Sequence, residues 1–483
     1  MREGLMKGRT RLVFLLAAIT AILLLFALAE HRPSLFANTA ILGAILALQI
    51  AFFGLSHFEK AFFPLLIGTF LWAGSSLPFY GTAMSLRWLF LAIGALGGFL
   101  IWINRPHGRH FGSFHLVALF CVASAMVTAI VSDEPKPALL KVLSLFLLFL
   151  YASSGARIAI AGREKKFVSS LVFASEVLVY VSAVCYVALN FSVFGNPNAL
   201  GAVVGVVAVP ILLWAAATAE TRGLRQRRFF ALLLCGGLLY ISNSRASILC
   251  AATVILLFAI AMRQQRMLLQ CAFLGVFFLT VMAVVDPSHV NELASSVTGK
   301  VLYKERGTGH GVFASRLSPW SETLSVVKRH PWFGSGFGTS DLGDRRPDSA
   351  SSSVYTKEGT NREHGNSYLA LAEYLGILGA VPFLVLLLML LRTLAHVYRW
   401  MRKTGNPFHY CIPFALVASA GLVHAFFEDW LFAVGSYLCV FFWVAAFVLI
   451  DLVPVREPRS STILFQPSRR IMAVSTNCIF ADK

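Results

Sequence analysis

Long apolar runs alternate with short polar connections along most of this 483-residue chain. Most of the runs reach the roughly 17 to 25 residues that an α-helix needs to cross a hydrocarbon layer. We count fourteen runs, at residues 12–29, 35–54, 61–79, 86–103, 114–131, 138–155, 167–190, 199–219, 229–241, 246–262, 268–285, 366–391, 408–427 and 431–452. The pattern predicts an all-α polytopic membrane protein, a bundle of about 12 to 14 transmembrane helices.

The composition supports this class. Hydrophobic residues make up 57% of the chain and charged residues 13%, whereas a soluble domain averages about 25% charged. The eight cysteines include no CxxC pair, so neither a zinc site nor a disulfide framework is expected. Membrane lipids are therefore the expected surroundings of the protein.

The net charge of +18 has a distribution that argues against nucleic acid as a partner. Lys and Arg cluster in short connections between apolar runs, the arrangement that sets membrane topology by the positive-inside rule. With a cytoplasmic N-terminus, every second connection is basic; the clusters lie at 105–109, 157–166, 222–228, 263–266 and 392–403. The run 229–241 is too short for a standard span, but the clusters on both sides of it place its tip, "SNSR" (242–245), at the outer face.

The same alternation divides the chain into five segments. One long outer loop separates two sets of helices, and "FALAEH" at the end of the first run resembles a signal-peptide cleavage site that we expect to stay uncleaved. The predicted segments are 1–190 (N-terminal transmembrane helices), 191–285 (transmembrane helices carrying the GNPN and SNSR motifs), 286–365 (periplasmic loop), 366–452 (C-terminal transmembrane helices) and 453–483 (cytoplasmic tail).

The long outer loop contains one segment with helical character. In "SPWSETLSVVKRH" (318–330), Ser318 is a candidate cap, Pro319 suits a first helical turn, and Trp320 and Leu324 have helical spacing. We predict a short amphipathic helix on the outer surface, followed by a mobile stretch at 341–362.

Three outer motifs stand at predicted helix N-termini, which present unpaired N–H groups and partial positive charge and so favour phosphate. They are "FGNPNALG" with Asn196 and Asn198, "SNSRAS" with Arg245, and "EHGNSY" with His364, Asn366 and Ser367. Arg316 in the loop would add a fork-shaped donor suited to phosphoryl oxygens.

Each of these residues also has a purely structural explanation. Asn and Ser before a helix are ordinary caps, Arg245 could snorkel to the membrane surface, and Arg316 could be a solvated loop residue. By itself His364 is equally consistent with a capping and with a catalytic role.

Other polar features carry less weight. "GSGFG" (334–338) lacks the strand and the lysine of a nucleotide loop, so we interpret it as a turn that allows close backbone approach. Glu428 and Asp429 are expected to be solvated acids in an outer turn, and the orientation of a cation is the lesser alternative. Glu176 lies inside a span and is a secondary functional candidate. Gly376 and Gly379 are expected to permit close helix packing.

The motifs together resemble the bacterial O-antigen ligase/O-antigen polymerase superfamily. "HGNSYLALAEYLGILG" looks like its signature, with a His, then Asn, Tyr-Leu and an acidic residue before Gly-x-x-Gly. "FGNPNALGA", "SNSRAS" and "RLSPWSETLSVVKRHPWFGSGFG" are similar to further landmarks in the expected order, so the resemblance spans roughly 190–450. One departure is Gly365, which separates His364 from Asn366 where the family usually has Asn, Ser or Gln directly after the His.

The resemblance implies a GT-C-like, metal-independent glycosyltransferase without cofactors, at the periplasmic face of a bacterial inner membrane. The donor would be a glycan on undecaprenyl pyrophosphate, and the acceptor either lipid A–core, for a ligase, or a growing polysaccharide, for a polymerase. Arg245 and Arg316, with Asn196 and Asn198 nearby, would hold the pyrophosphate, and His364 would act as general base. Asn366, Ser367 and Glu373 would support the site.

Two other classes remain as alternatives. A polysaccharide flippase or transporter tends to show internal repeats and polar residues at the membrane midplane, and we find no convincing repeat and only Glu176 deep in a span. A structural or sensor protein has no feature in its favour.

Overall fold

The computed structural model describes residues 49, 51–104, 111–264, 314–339 and 364–454. Within these residues the regular structure is helical and contains no strand. The helices are α1 (Phe63–Ala73), α2 (Tyr80–Ile103), α3 (Ser113–Ile130), α4 (Pro135–Ser153), α5 (Gly155–Ile160), α6 (Glu164–Leu189), α7 (Pro197–Ala202), α8 (Val209–Ala217), α9 (Arg222–Ser242), α10 (Arg245–Ala261), α11 (Ala314–Arg329), α12 (Ser367–Thr404), α13 (Cys411–His424) and α14 (Tyr437–Leu452), with π-helical segments at Phe58–Phe62 and Val203–Ala208.

Six helical stretches are long and apolar enough to cross a membrane, and three shorter apolar helices accompany them. The six are Tyr80–Ile103, Ser113–Ile130, Pro135–Ile160, Glu164–Leu189, Pro197–Ala217 and Ser367–Thr404. The predicted all-α polytopic membrane protein is therefore confirmed. The runs 12–29 and 268–285, most of 35–54, and the stretch 341–362 lie outside the described residues, so the total of 12 to 14 spans stays a prediction.

The short apolar run at 229–241 belongs to a longer helix than the sequence pattern indicated. Helix α9 begins at Arg222 and ends at Ser242, so the basic cluster supplies its first two turns. Its 21 residues correspond to a length of roughly 31 Å at 1.5 Å per residue. Because apolarity defined the predicted run, its cationic turns were left out.

The segments that connect the helices form two groups, and contacts join the segments within each group. Consecutive connecting segments along the chain belong to different groups. One group, here called the site end, joins residues 74–79, 132–134, 190–196, 242–244, 330–339, 364–366 and 425–436. Its contacts include Ser76 N to Val193 O (2.8 Å) and Ser132 Oγ to Ser335 O (2.7 Å), and the adjoining helix starts are joined by Tyr437 Oη donating to Ala199 O (3.0 Å). The alternation matches the topology expected from the basic clusters.

The other group, the basic end, is held by ion pairs whose acids are buried. Arg157 donates from Nε and Nη2 to Asp451 at 2.6 and 2.7 Å, with both side chains 8% exposed. Glu176 is buried and pairs with Arg227 Nη2 at 2.8 Å. This pair gives Glu176 a structural explanation and removes the need for a functional one.

Helix α12 is broken at Gly376, whose φ of 61° and ψ of −172° are not helical. Residues 331–336 insert into the break and satisfy the backbone groups that it frees. Ile377 N and Leu378 N donate to Pro331 O (2.8 Å) and Trp332 O (3.1 Å), and Ser335 N and Gly336 N donate to Glu373 O (2.9 Å) and Tyr374 O (3.2 Å). We call this four-bond arrangement the clip; such breaks are tolerated at membrane depth where protein supplies the missing partners.

The clip requires glycine at its closest approaches. A Cβ added at Gly334 would lie 2.5 Å from Leu375 N, and one at Gly376 would overlap the carbonyl group of Trp332. The predicted close backbone approach of "GSGFG" is thus confirmed. Gly379 packs against α3 as expected, with its carbonyl accepting from Ser124 Oγ at 2.8 Å, but Gly376 breaks the helix instead of packing it.

Candidate functional site

A short turn after α13 brings the site together. We call residues 424–430, with the sequence HAFFEDW, the acidic turn. Helix α13 ends at His424, where Phe427 N donates to His424 O at 2.9 Å, and the chain then runs to Ser436, whose side chain caps α14. Three side chains of this turn, those of His424, Glu428 and Asp429, reach other parts of the site end.

Asp429 of the acidic turn holds His364 by two contacts. Its Oδ2 accepts from the backbone N of His364 at 2.9 Å and lies 3.1 Å from the ring Nδ1. The His364 side chain is 1% exposed and that of Asp429 is 26% exposed, so the carboxylate is the outward member of the pair. His364 therefore has a fixed ring orientation before any substrate binds.

Two further groups of the first segment of α12 surround the imidazole. Glu373 Oε1 lies 3.3 Å from His364 Nε2, and its side chain is fully buried. Tyr374 Oη lies 3.4 Å from Nδ1, and its ring packs edge-on against the imidazole with centroids 5.1 Å apart. Helix α12 is broken at Gly376, three residues after Glu373. The clip at this break fixes the segment that carries Glu373 and Tyr374 relative to residues 331–336.

The surroundings shift the pKa values of the pair in opposite directions. Burial by itself lowers the pKa of His364, but the hydrogen bond to Asp429 and the negative charges of Asp429 and Glu373 raise it above its ordinary value. Burial raises the pKa of Asp429, and its bonds to the His364 ring and backbone outweigh this and lower it. The imidazolium–carboxylate form of the pair is therefore favoured.

Arg316 reaches the same place from the long loop. Its Nη2 pairs with Glu428 Oε1 at 2.6 Å, one residue before Asp429. It also lies against Gly365, where an added Cβ would be 2.8 Å from its Nη1. Gly365 has a φ of 63°, and Trp320 Nε1 donates to its carbonyl at 3.2 Å. The glycine that departs from the family pattern thus makes room for the guanidinium beside the histidine.

The helix that carries Arg316 differs from its prediction. Its described part, Ala314–Arg329, already includes residues before Ser318, so Arg316 lies on α11 and Pro319 lies inside the helix. Ser318 contacts Glu322 at 3.1 Å, as a side chain within the helix. The apolar positions at helical spacing are also not all buried, because Leu324 is 46% exposed. Proline at a first turn is a common signal, and it misplaced the start here because this helix tolerates proline one turn further in.

A hydrogen-bond chain joins the acidic turn to the start of α10. Trp430 Nε1 donates to His424 Nδ1 at 2.8 Å, and the opposite ring nitrogen lies 3.3 Å from Ser247 Oγ. Ser247 Oγ in turn lies 2.7 Å from Ser244 Oγ, and Ser244 is the N-cap position directly before Arg245. The start of the helix that Arg245 begins is therefore tied to the turn that bears Asp429.

The asparagines and Ser367 have capping and bridging contacts. Asn366 Oδ1 accepts from Tyr368 N and Leu369 N, and Asn196 Oδ1 accepts from Asn198 N at 2.9 Å, so both asparagines cap helices. Ser367 Oγ donates to Glu428 O at 2.6 Å and holds the acidic turn. Helix α7, which begins within the GNPN motif, packs closely against the start of α10. A Cβ added at Gly201 would lie 2.6 Å from Ser244 Cβ.

Sequence reasoning gave the acidic turn too little weight. Glu428 and Asp429 were expected to be solvated, with the orientation of a cation as the lesser alternative, whereas Asp429 pairs with His364 and Glu428 pairs with the cation Arg316. His424 was not singled out at all. Two adjacent acids in an outer connection, opposite a predicted site rich in Arg and His, were the available signal.

Comparison with known families bears on the same region. Residues 230–384 match the family model Wzy_C, described as O-antigen ligase. This segment of the chain is similar to the O-antigen ligase family. The superfamily resemblance of the sequence motifs is thereby confirmed, and the family supports a multi-pass membrane enzyme of the ligase or polymerase type. No curated protein matches the chain.

The matched segment begins within α9 and ends in the second segment of α12. It contains Arg245, Arg316, His364 and Glu373, while Asp429 lies beyond its end. Among the described residues, no group of three or more His, Cys, Asp or Glu side chains is placed to hold a metal ion.

Proposed function

We propose that this O-antigen ligase family protein transfers a glycan from undecaprenyl pyrophosphate to an acceptor hydroxyl at the periplasmic face of a bacterial inner membrane. The observation that carries the proposal is the junction at Gly365, where the Arg316 guanidinium and the His364 imidazole meet on one turn of acids. A cation suited to phosphate thereby stands next to a base suited to a hydroxyl.

The proposed reaction needs only these two kinds of group. The acceptor oxygen attacks the anomeric carbon of the donor sugar, and the bond from that carbon to the phosphate oxygen breaks. The pyrophosphate leaves with the bonding electron pair, and the cations stabilise the charge that develops on it. The proton of the acceptor hydroxyl passes to His364. Arg245 is proposed to serve the same phosphates as Arg316, because its helix start is tied to the acidic turn.

As a ligase, the protein would use lipid A–core as its acceptor in lipopolysaccharide assembly. A polymerase that extends an O-antigen or exopolysaccharide chain is the second candidate, because the family includes both activities. A gene deletion examined by glycan gel separates them. We expect long lipid-linked chains to accumulate without attachment; single repeat units instead would indicate a polymerase, and an unchanged gel together with an unchanged lipid-linked pool would refute both.

Arg316→Ala is expected to lower glycan transfer by about 100-fold to 1,000-fold, the cost of removing one group that stabilises transition-state charge. The protein should remain folded, because Glu428 is 22% exposed and can be solvated when its partner is gone. The measurement is the initial transfer rate at matched membrane levels. Lys328→Ala, which removes an exposed cation from the same helix, is the control and should keep normal transfer. Equal rates for the two variants would refute a role of Arg316 in donor binding.

A further inference from the structure

Helix α2 carries an arginine inside its membrane-spanning stretch, close to the site end. Arg87 lies seven residues after Tyr80, where the helix begins, which corresponds to about 10 Å along the axis. Its guanidinium reaches back to the site end, because Nη1 donates to Gly435 O at 2.6 Å and Gly435 belongs to the 425–436 connection. A charged group within a span is costly, and such residues usually mark a functional site.

The guanidinium of Arg87 is fixed in place, but only part of it is used. Its Cζ lies 5.0 Å from the ring centroid of Trp88 and 5.9 Å from that of Phe70. Within the described residues no carboxylate pairs with Arg87, and neither Nε nor Nη2 has a hydrogen-bond partner. Because Nε is buried, Nη2 is the donor that remains for a ligand. A planar guanidinium with free N–H groups suits the oxygens of a phosphate.

The face of α2 that carries Arg87 is open near the site end and closed further along. Tyr80, Met84 and Trp88 lie on this face at helical spacing, and all three side chains are exposed. Leu91, one turn beyond Arg87, continues the face and is fully buried. We call Tyr80, Met84, Arg87 and Trp88 the α2 patch. Exposed apolar side chains beside a cation with free donors suit a molecule that has both a hydrocarbon part and an anionic group.

One connection links the α2 patch to the proposed catalytic groups. In the 425–436 connection, Glu428 pairs with Arg316, and Gly435 accepts the hydrogen bond of Arg87. The seven residues from Glu428 to Gly435 can span at most about 25 Å. One cation proposed to serve the donor phosphates and a second cation beside apolar surface thus lie at the two ends of a short connection.

We propose that the α2 patch binds the acceptor lipid, with Arg87 holding a phosphate group of that lipid and the apolar side chains contacting its hydrocarbon. The inference rests on the proposed transferase function and adds a site for its second substrate, a glycolipid that carries phosphate of its own. Nη2 donates to a phosphate oxygen, and the sugars extend along the 425–436 connection toward His364. The donor phosphates keep Arg316 and Arg245, so the two anionic groups do not compete for one cation.

A binding measurement that needs no turnover tests this site. The probes are bisphosphorylated lipid A and the same lipid A after enzymatic dephosphorylation, each titrated into the purified full-length protein in detergent. The wild type should bind the phosphorylated lipid about 10-fold to 100-fold more tightly, which is the contribution of hydrogen bonds to a charged group. Arg87→Gln should bind both lipids alike, as weakly as the wild type binds the dephosphorylated one.

Two further variants complete the comparison. Lys136→Gln removes an exposed cation from the first turn of α4, at the same end of the bundle, and should bind as the wild type does. Arg87→Lys keeps the charge but not the planar donor set, so it should retain only part of the preference for phosphorylated lipid. It also tests the site if Arg87→Gln yields no folded protein. Equal affinities of the wild type for the two lipids, or an undiminished preference in a folded Arg87 variant, overturn the proposal.

Two competitors distinguish the sources of the phosphate. Phosphatidylglycerol or inorganic phosphate is added, at the concentration of the probe, to wild-type protein with bound bisphosphorylated lipid A. Neither should displace the probe. Displacement by phosphatidylglycerol would assign the α2 patch to ordinary membrane lipid, and displacement by inorganic phosphate would assign it to the free ion; either result overturns the acceptor assignment.

The kinetics of transfer give an independent readout. Arg87→Gln should raise the KM for the acceptor lipid about 10-fold, with little change in kcat or in the KM for the lipid-linked donor, whereas damage to the structure would lower kcat. If the wild type transfers no glycan, the proposed function fails, while phosphate-dependent binding of the lipid at Arg87 still stands. If the wild type transfers glycan and Arg87→Gln keeps the wild-type KM for the acceptor, this inference fails and the proposed function stands.

Discussion

Replacing His364 with glutamine is expected to abolish glycan transfer, with a loss of about 1,000-fold or more. Glutamine keeps N–H donors for the neighbouring carboxylates, but it cannot take up a proton, and general base catalysis contributes roughly 10² to 10⁴ in rate. In the wild type, transfer should rise with pH through the pKa of His364, since the neutral ring is the base and its pKa lies above the ordinary 6.5. The measurement is the initial rate of transfer from a lipid-linked donor across a pH series.

The matched control is His57→Gln, which changes an exposed histidine in a connection of the basic end. It should retain wild-type rates. The base assignment fails if His364→Gln, present at wild-type membrane levels, keeps more than about a tenth of the activity, because a residue that transfers the reacting proton contributes more than that.

Gly376→Ala is expected to destabilise the protein by about 3 kcal/mol or more. The backbone at Gly376 adopts a conformation that is essentially restricted to glycine, and a Cβ there would overlap the carbonyl group of Trp332. The clip would have to open, and each of its four hydrogen bonds contributes about 1 kcal/mol. The measurement is the unfolding temperature and the yield of monodisperse protein in detergent.

Gly237→Ala provides the comparison, because Gly237 lies within α9 and an added Cβ would meet nothing within 4 Å. In that helix alanine should be neutral or stabilising by about 1 kcal/mol. An unfolding temperature of Gly376→Ala equal to that of Gly237→Ala would show that the clip contributes little to stability. A folded Gly376→Ala protein should still lose transfer, because Glu373 and the base are held by the same segment.

The positions of the helices could be predicted from the sequence. In the described part of the chain, the predicted runs at 86–103 and 114–131 became Tyr80–Ile103 and Ser113–Ile130. In a membrane each helix must satisfy its own backbone and face hydrocarbon, so apolar length is a local property of the chain. Helix starts differed from their predictions where charge or proline mattered, as at Arg222 and at Pro319, which lies inside its helix.

The candidate site was predictable in its residue types but not in its partners. Sequence motifs selected Arg316 and His364 and placed both in the outer loop, since Arg and His in such a loop have few structural reasons to be there. Their acids, Glu428 and Asp429, come from a connection more than sixty residues further along, with separations of 112 residues for the arginine pair and 65 for the histidine pair.

The amino-acid sequence by itself therefore determined the membrane class and the helix positions, and it selected Arg316 and His364 as the candidate cation and base. The tertiary structure decided what surrounds them: it placed His364 beside Asp429 and Glu373, placed Arg316 against Gly365, and broke α12 where residues 331–336 bond to it. The physical reason is distance along the chain. Periodicity and capping act within a few residues, whereas these contacts depend on how separate helices pack.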